Sequence, residues 1–579
     1  MPSVLLPPLH SERNCDFASS AVNCKSPVRV VPKLRVGVLL DSLTTPAWIH
    51  KTLEEIISNE SSKLVLIVLN GGPRKASRPK NSALFRLWSW FDYRLFGTHG
   101  DAFTTERRDY VAETITAVPI DKDGSDRLDD GTIAKIKTAN LDVILQLGFS
   151  LLTGEVLSCA KYGVWTFQST DGMDPEVFYP FFWKQYDTDR LTEITLRVAH
   201  TGRALYRGCF LNDSLSLHRN RNSDRWRRSR ILLRRLSDLH AHGWQDTSAA
   251  NSEEIASSNG FGHTLPGNAL TARFAAQWCL HVLRKELLEL CFCEQWIICC
   301  RKTLEPVVGD RNTRPFTILK PPPGSNYADP FVFEHGGHNY IFFEAWQSGS
   351  KGAIWCTKLD QAGKPGESKP ILQRPYHLSY PYVFEWRGGI YLLPETRQNK
   401  TIELFRAIDF PYHWELAAVL MKGVSAVDSV IFEYNSKLWL FTAGMGGPEF
   451  RLNELSLFFA DSLFGPWRPH PKNPIVCDIR RARPAGGLFI HNGELIRPGQ
   501  DCSKSYGYAV SLNRVDLLSE SDYREEPIAM ILPNWAPDIC RVHTFNRNGT
   551  FEVRDASVIV PRRSLKRPCE QAGFSKPGG

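Results

Sequence analysis

The sequence predicts an open, doubly wound α/β sheet followed by an all-β five-bladed propeller. Three observations in the 579-residue chain carry that expectation. Short apolar runs alternate with helix-patterned segments from Leu34 to about His242. A Phe-Glu pair ending at Glu334 returns at Glu385 and Glu433, 51 and then 48 residues on. Between the two patterns lies a stretch rich in Ser, Asn and Gly. The chain is also too long for one core, so it should divide.

With 42% hydrophobic and 23% charged residues the composition is that of a globular protein, neither disordered nor membranous. Part of the net charge of +8 is concentrated, because Arg219 to Arg235 holds eight arginines and one Asp. Trp226, Ile231, Leu232, Leu233 and Leu236 interleave with them as one apolar side of a helix. The run is therefore expected to be a solvated helix face rather than a polyanion site, and no nucleic-acid partner is expected. The 14 cysteines show no paired CxxC spacing, so no metal is expected. Cys291, Cys293, Cys299 and Cys300 lie among apolar residues and read as buried free thiols. Residues 1–33 read as a flexible N-terminal segment without a signal-like apolar stretch. No later segment reaches about 18 uncharged apolar residues, so no transmembrane segment is expected and the cytoplasm is the expected location.

Residues 34–242 form the expected α/β domain. Leu34 to Asp41 is a buried strand, Pro46 to Ile57 a helix and Lys63 to Asn70 a second strand, a β-α-β unit with parallel strands. A helix from Asp129 to Ala139 leads to the strand Leu141 to Gly148. Ligands of such sheets bind at the carboxyl ends of the strands. No GxGxxG or Walker loop follows the first strand, which argues against a dinucleotide or nucleoside triphosphate cradle.

The run from Leu141 to Leu152, then Glu155-Val-Leu157 and Tyr162-Gly-Val-Trp-Thr-Phe-Gln168, resembles the formyltransferases that use 10-formyltetrahydrofolate, among them methionyl-tRNA and amino-sugar N-formyltransferases. The resemblance implies a formyltransferase-like domain with 10-formyltetrahydrofolate as cofactor. It also implies a catalytic Asn, His and Asp, which fall on Thr166, Gln168 and His200, so all three depart from the family pattern. In that family Asn and His steady the oxyanion while Asp orients the imidazole. Gln168 can donate a hydrogen bond but cannot titrate, and His200 would relay a proton only in rebuilt surroundings. Tyr206-Arg-Gly208 comes after His200, out of the family's order, and Glu176 to Trp183 fills its expected place. Formyl transfer and a scaffold or altered binding site both remain open.

Residues 243–268 read as a linker and 269–296 as a bridging helix. Phe274, Trp278, Val282, Leu287 and Leu290 fall at helical spacing, and the helix is expected to dock the linker onto the propeller.

The propeller is assigned to 297–558 and a basic, Pro-containing tail to 559–579. Its five copies begin with Ala328 to Glu334 paired with Tyr340 to Glu344, Ser379 to Glu385 with Ile390 to Glu395, and Ala426 to Glu433 with Leu438 to Thr442. Weaker ones follow at Ala482 to Phe489 with Asn492 to Arg497, and at Arg541 to Phe545 with Asn548 to Val553. Gln295 to Arg301 is expected to close the last blade. An innermost strand starts at the mouth to which its partner returns, so Asp329, Glu344, Glu395 and Asp428 should share one rim. Arg483, Arg497, Gln500, Asp501 and His543 are the candidates to join them as substrate-binding residues.

The motifs ADPF, HLSYP, GVSAVD and ARPAG, with Arg497 to Ser503, resemble the N-terminal domain of plant glucosamine inositolphosphorylceramide transferases. The propeller also resembles the arabinanase and xylosidase glycosidases, and both domains together resemble bacterial proteins that fuse the two. The glycosidase resemblance puts Asp329 and Asp428 at the base and pKa-tuning positions. The fourth blade offers Arg483-Pro-Ala-Gly-Gly487 where the acid belongs, so Glu344 or Glu395 would have to substitute. Asp329 before Pro330 also reads as a simple turn cap. The expected function is a carbohydrate-related transferase acting on a sugar or amino sugar. A propeller glycosidase or transglycosidase and a non-catalytic glycan-binding scaffold are the alternatives.

Overall fold

The computed structural model describes residues 31–72, 82–97, 100–122, 125–168, 182, 183, 185, 190–244, 266–303, 315–347 and 349–562. Of the expected N-terminal segment (1–33), linker (243–268) and tail (559–579), residues 1–30, 245–265 and 563–579 lie outside the described residues, as do residues 176–181, while the start of the tail continues the strand Phe551–Pro561.

Seven strands build the first sheet: β1 (Leu34–Leu40), β2 (Ser62–Asn70), β3 (Glu113–Ala117), β4 (Val143–Gln146), β5 (Val164–Gln168), β6 (Leu191–Val198) and β7 (Ala204–Leu211). They lie in the order β7-β6-β5-β4-β1-β2-β3. The pairs from β5 to β3 are parallel, and β6 and β7 add an antiparallel edge. β1 is apolar on both sides, as a parallel strand covered on two faces must be. Val36, Val38 and Leu40 face one core, shared with α1 (Ala47–Ser58), while Leu39 faces a second. A further helix, α2 (Ala83–Phe96), lies apart from these cores. The second core holds Ile133 and Ile136 of α3 (Asp130–Thr138), whose start is fixed by Asp129 accepting the Thr132 N–H at 2.9 Å. The first holds Ile231, Leu232 and Leu236 of α4 (Leu217–His242).

The arginine run lies in α4, and it is not a solvated face. Arg234 gives two 2.8 Å bonds to Glu454, which also accepts the Tyr206 hydroxyl at 2.8 Å. Arg230 meets Glu449 at 2.5 Å, and Arg235 reaches the Asn473 carbonyl at 3.0 Å. The propeller supplies all of these partners, so the helix is the seam between the two domains. Arg230 and Arg234 are held by carboxylates more than 200 residues away in sequence, while Arg225 and Arg228 pair with Asp224 inside the helix.

The bridging helix also differs from expectation. α5 (Asn268–Cys291) packs its first half on α2, with Trp88 5.3 Å from both Phe274 and Trp278. Trp278 donates to the Leu215 carbonyl at 2.8 Å. The helix therefore docks on the α/β domain, and Leu287 and Leu290 are 53% and 72% exposed. It ends at Cys291 and the chain passes directly into the strand Phe292–Lys302. Cys299 and Cys300 are buried free thiols, pushed up to about 12 by burial, but Cys291 is exposed and Cys293 half-buried.

The C-terminal region is a five-bladed all-β propeller. Four blades are consecutive four-stranded sheets. The fifth is closed by Phe292–Lys302, which runs antiparallel to Phe551–Pro561 from Phe292↔Pro561 to Lys302↔Phe551. Pairing an early strand with the last one removes the open edge of the ring. In the fourth blade only Phe489–His491 is regular inner strand. Gly486, at φ +149°, and Gly499 explain the departure: a Cβ there would lie 2.0 Å from the Phe545 carbonyl and 2.1 Å from the Arg481 carbonyl. No described helix is long and apolar enough to cross a membrane.

Candidate functional site

The inner strands of the first three blades begin with the same irregularity. Asp329, Tyr380 and Asp428 have φ of +51°, +50° and +51°, and each sits where the register with the next strand skips. Such left-handed backbone is strained for residues other than glycine and persists where the surroundings over-determine it. Here they do. Asp329 accepts the Tyr380 N–H at 3.1 Å and the Thr544 hydroxyl at 3.0 Å, and lies 3.0 Å from His543 Nε2. Asp428 accepts Arg483 at 2.6 and 3.2 Å and Gln500 at 2.9 Å. Asp329 thus ties the first blade to the second and fifth, and Asp428 the third to the fourth. At 6% and 2% exposed they are latches between blades as much as rim carboxylates. The cap before Pro330 is not the role the structure gives Asp329.

His543 lies between two carboxylates, with Nδ1 3.0 Å from Asp555. Burial works against its charged form, but Asp555 and Asp329 raise it to about 10, so it bridges them as a cation. Burial opposes the Asp329 carboxylate too, yet His543 and Thr544 hold it below its usual value. Among the described residues, Asp329, His543 and Asp555 bring three potential ligand atoms within 4.8 Å, and a cation there would have to displace the imidazolium proton.

Glu344 and Glu395 are less committed. Each lies near the end of its blade's second strand, His338–Gln347 or Gly389–Thr396, and each lines a cavity of about 760 Å³ between the propeller mouth and the α/β domain. His377 Nε2 is 3.1 Å from Glu344, while Arg397 and Arg483 stand 3.4 and 4.0 Å from Glu395. Burial pushes the Glu344 carboxyl up to about 7, against the pull of His377 and with the push of Asp329 and Glu395. Burial likewise raises Asp428, opposed by Arg483 and reinforced by Glu395 and Asp329. Trp296, Trp346 and Tyr506 supply apolar wall, and Asn212, Asp213 and Arg227 close the cavity from the α/β side. A concave site with apolar walls, a few convergent polar groups and a perturbed carboxyl suits a polar ligand with apolar faces, as a sugar ring has.

Of the sequence candidates, Asp329, Glu344, Glu395, Arg483 and His543 line this cavity, with Asp428 directly beneath Arg483. The other three lie behind it. Arg497 is 1% exposed and held by Glu525 at 2.6 and 2.7 Å, Gln500 supports Asp428, and Asp501 accepts the Ser503 N–H at 2.8 Å. Sequence reasoning missed Trp346, although it stands two residues beyond Glu344 and so on the same side of the strand, and Arg397, which opens a 3-10 turn just after Glu395. It also missed His377, which opens the HLSYP motif, together with Arg451, Tyr506 and Arg227.

The α/β domain meets the cavity with one end of its sheet. Gln168 pairs with Thr195, and Leu191 with Leu211, so the carboxyl end of β5 and the end of β7 lie on one side. That is the side where Asn212 and Asp213 enter the cavity. His200 lies at the other end, beyond the Trp165↔Val198 pair, where a Cβ on Gly163 would meet its ring at 2.7 Å. Thr166 and Gln168 share β5, but His200 is not brought to them: the strand between spans roughly 13 Å. Tyr206 of the Tyr-Arg-Gly motif serves the seam through Glu454. The crevice at the carboxyl ends of β1 and β4 holds Asp41, which accepts the Phe149 N–H at 2.8 Å, and it is where this sheet would hold a cofactor.

Residues 318–539 match the family model described as the N-terminal domain of glucosamine inositolphosphorylceramide transferase 1. The chain is 36% identical over 211 residues to glucosamine inositolphosphorylceramide transferase 1 of Oryza sativa subsp. japonica, and 35% identical over 215 residues to that of Arabidopsis thaliana. Each alignment covers 36% of this chain and 28% of the relative, so the chain spans little more than a quarter of the relatives' length. Similar solved structures include a family 117 glycoside hydrolase of Zobellia galactanivorans, at 13% identity and TM-score 0.30, covering 46% of this chain and 90% of that one. A GH43 protein of Bacillus licheniformis is 16% identical at TM-score 0.29, over 37% and 46% of the two chains. The matched stretch contains every rim candidate except His543.

Proposed function

We propose that this chain is a carbohydrate-modifying transferase whose propeller mouth seats the sugar. In this reading the carboxyl end of the α/β sheet presents the second substrate. The observation that carries it is the cavity closed by both domains, with Glu344 and Glu395 facing inward and only loosely paired. The relatives matching the propeller are named for transfer of glucosamine, which supports a sugar and favours an amino sugar. Calorimetric titration with D-glucosamine and N-acetyl-D-glucosamine tests the seat. Binding should be saturable in the native chain and at least tenfold weaker in Glu395→Gln, and absence of binding to either sugar would overturn the proposal.

The finer form of the proposal is N-formylation of an amino sugar with 10-formyltetrahydrofolate. Thr166 and Gln168 would then contribute hydrogen bonds only, and Glu344, with its carboxyl near 7, would be the group able to exchange a proton. Mass spectrometry of D-glucosamine incubated with the chain and 10-formyltetrahydrofolate should show an N-formyl product; no product and no folate binding would sink this form alone. The reduced cysteines of the described residues fit a cytoplasmic location.

A second reading is favoured by one observation: Glu344 is raised while Asp329 is lowered, the separation an acid and a base need. Hydrolysis of a chromogenic glycoside, abolished by Glu344→Gln, would support it. Its weakness is that both Asp329 oxygens are already engaged.

A further inference from the structure

The arginines around the cavity fall into two groups. Arg230, Arg234 and Arg483 each hold a carboxylate at 2.5 to 2.8 Å. Arg451 and Arg227 have no carboxylate within 4.0 Å among the described residues. Arg451 donates only to the Pro448 carbonyl, at 3.0 Å, and Arg227 lies 4.5 Å over the Phe210 ring with a buried Nε that has no partner. Arg397 reaches Glu395 through Nε at 3.4 Å, and its terminal nitrogens make no hydrogen bond among the described residues.

All three line the same cavity as Glu344 and Glu395. All three are half-buried, and withdrawing guanidinium groups from water without a full set of anions is costly, the more so when several are close together. The strain registers on Arg451, which burial and the neighbouring Arg397 and Arg483 charges push below its usual value. The chain supplies a carboxylate at 2.5 to 2.8 Å to Arg230, Arg234 and Arg483, but none to Arg227 and Arg451 and only a 3.4 Å contact to Arg397, so the missing counter-charge should come with the ligand. A guanidinium presents a planar fork of donors suited to phosphate oxygens, and three of them match the three free oxygens and double charge of a phosphate ester.

We propose that Arg227, Arg397 and Arg451 form a subsite for a phosphate carried on the sugar, so that the ligand of the cleft is a phosphorylated saccharide rather than a neutral one. The proposal rests on the reading of the mouth as a sugar seat. Because Arg227 comes from the α/β domain and the other two from the propeller, the phosphate also spans the two domains and orients the sugar between them.

Titration of the full chain with D-glucosamine 1-phosphate, D-glucosamine, D-glucuronate and inorganic phosphate tests this. The phosphate ester should bind at least tenfold more tightly than D-glucosamine, and that ratio should fall toward one in Arg451→Gln and in Arg397→Gln. Thermal unfolding of each variant establishes that it is folded. Short-chain phosphatidylinositol 4-phosphate, whose sugar-like headgroup carries a phosphate monoester, serves as a second probe. Tighter binding than the soluble ester would identify a lipid headgroup as the source of the phosphate, weaker binding a free sugar phosphate. A ratio near one in the native chain, a ratio unchanged in both variants, or D-glucuronate binding as well as the ester would overturn the subsite. If the ester binds through Arg451 but is indifferent to Glu395→Gln, the sugar seat fails and the phosphate site stands. If D-glucosamine binds through Glu395 with no gain from phosphate, the reverse holds.

Discussion

Along the seam, Arg234 gives Glu454 two 2.8 Å bonds and Tyr206 adds a third, so that both Glu454 oxygens are engaged. In the adjoining mouth, Glu344 shares one 3.1 Å contact with His377, Glu395 has Arg397 at 3.4 Å, and Arg451 has no carboxylate partner among the described residues. Both regions bury charge at the contact between the domains, but the seam gives Arg230 and Arg234 each a carboxylate at 2.5 to 2.8 Å while the mouth leaves several charges half-paired. Complete pairing fixes one structure, and incomplete pairing leaves perturbed groups facing a cavity, the pattern that marks a binding or catalytic site. The inter-blade latches belong with the seam: Asp329 and Asp428 are deeply buried and fully engaged.

The comparison can be broken by substitutions on each side of it. The largest effect is expected from Glu454→Ala, which leaves Arg234 buried without its partner and should cost about 3–5 kcal/mol in chemical denaturation. Replacing both residues, as Arg234→Met with Glu454→Leu, should recover most of that loss. Asp329→Asn keeps the shape but removes the charge that faces His543, and should cost about 1–3 kcal/mol. A loss as small as that of a surface substitution would show that the latch is not structural.

The mouth should answer differently. Glu344→Gln should weaken sugar binding at least tenfold, read by calorimetry, while leaving the unfolding transition at pH 5 nearly unchanged. Its signature is in the pH dependence. The folded carboxyl titrates near 7 and the unfolded one near 4.5, so the native state binds more protons between those values. Stability from this group is full below about 4.5 and is lost as pH rises toward 7, a slope worth on the order of 1–3 kcal/mol that Glu344→Gln should flatten. The smallest effect is expected of Trp346→Ala, which removes apolar wall and no charge; it should weaken sugar binding by about 1 kcal/mol without altering that slope.

The propeller was legible in the sequence because its repeats carry both a period and a shared Phe-Glu register. Even the closing strand was readable, since Gln295 to Arg301 is an apolar run with no partner nearby in sequence. The carboxylates at the mouth were legible for the same reason: Asp329 and Asp428 stand five residues before their glutamates. Tyr380 occupies the equivalent place in the second blade with the same left-handed backbone, but a change of residue type hid the equivalence. The seam was not legible, because Arg234 and Glu454 are 220 residues apart and no local pattern links them. An arginine-rich helix reads as solvated until its carboxylates are found. Arg227 was lost for that reason, and His200 was grouped with Gln168 only because a family pattern carried over along the chain says nothing of which end of β5 each residue occupies.

In the proposed function a sugar sits between the propeller mouth and the α/β domain, against Glu344, Glu395 and Trp346. A crystal structure with D-glucosamine 1-phosphate at saturating concentration tests it most directly. The sugar ring should lie within hydrogen-bond distance of Glu344 and Glu395, with its phosphate among Arg227, Arg397 and Arg451. An empty mouth, or density only in the crevice at the carboxyl ends of β1 and β4, would contradict it.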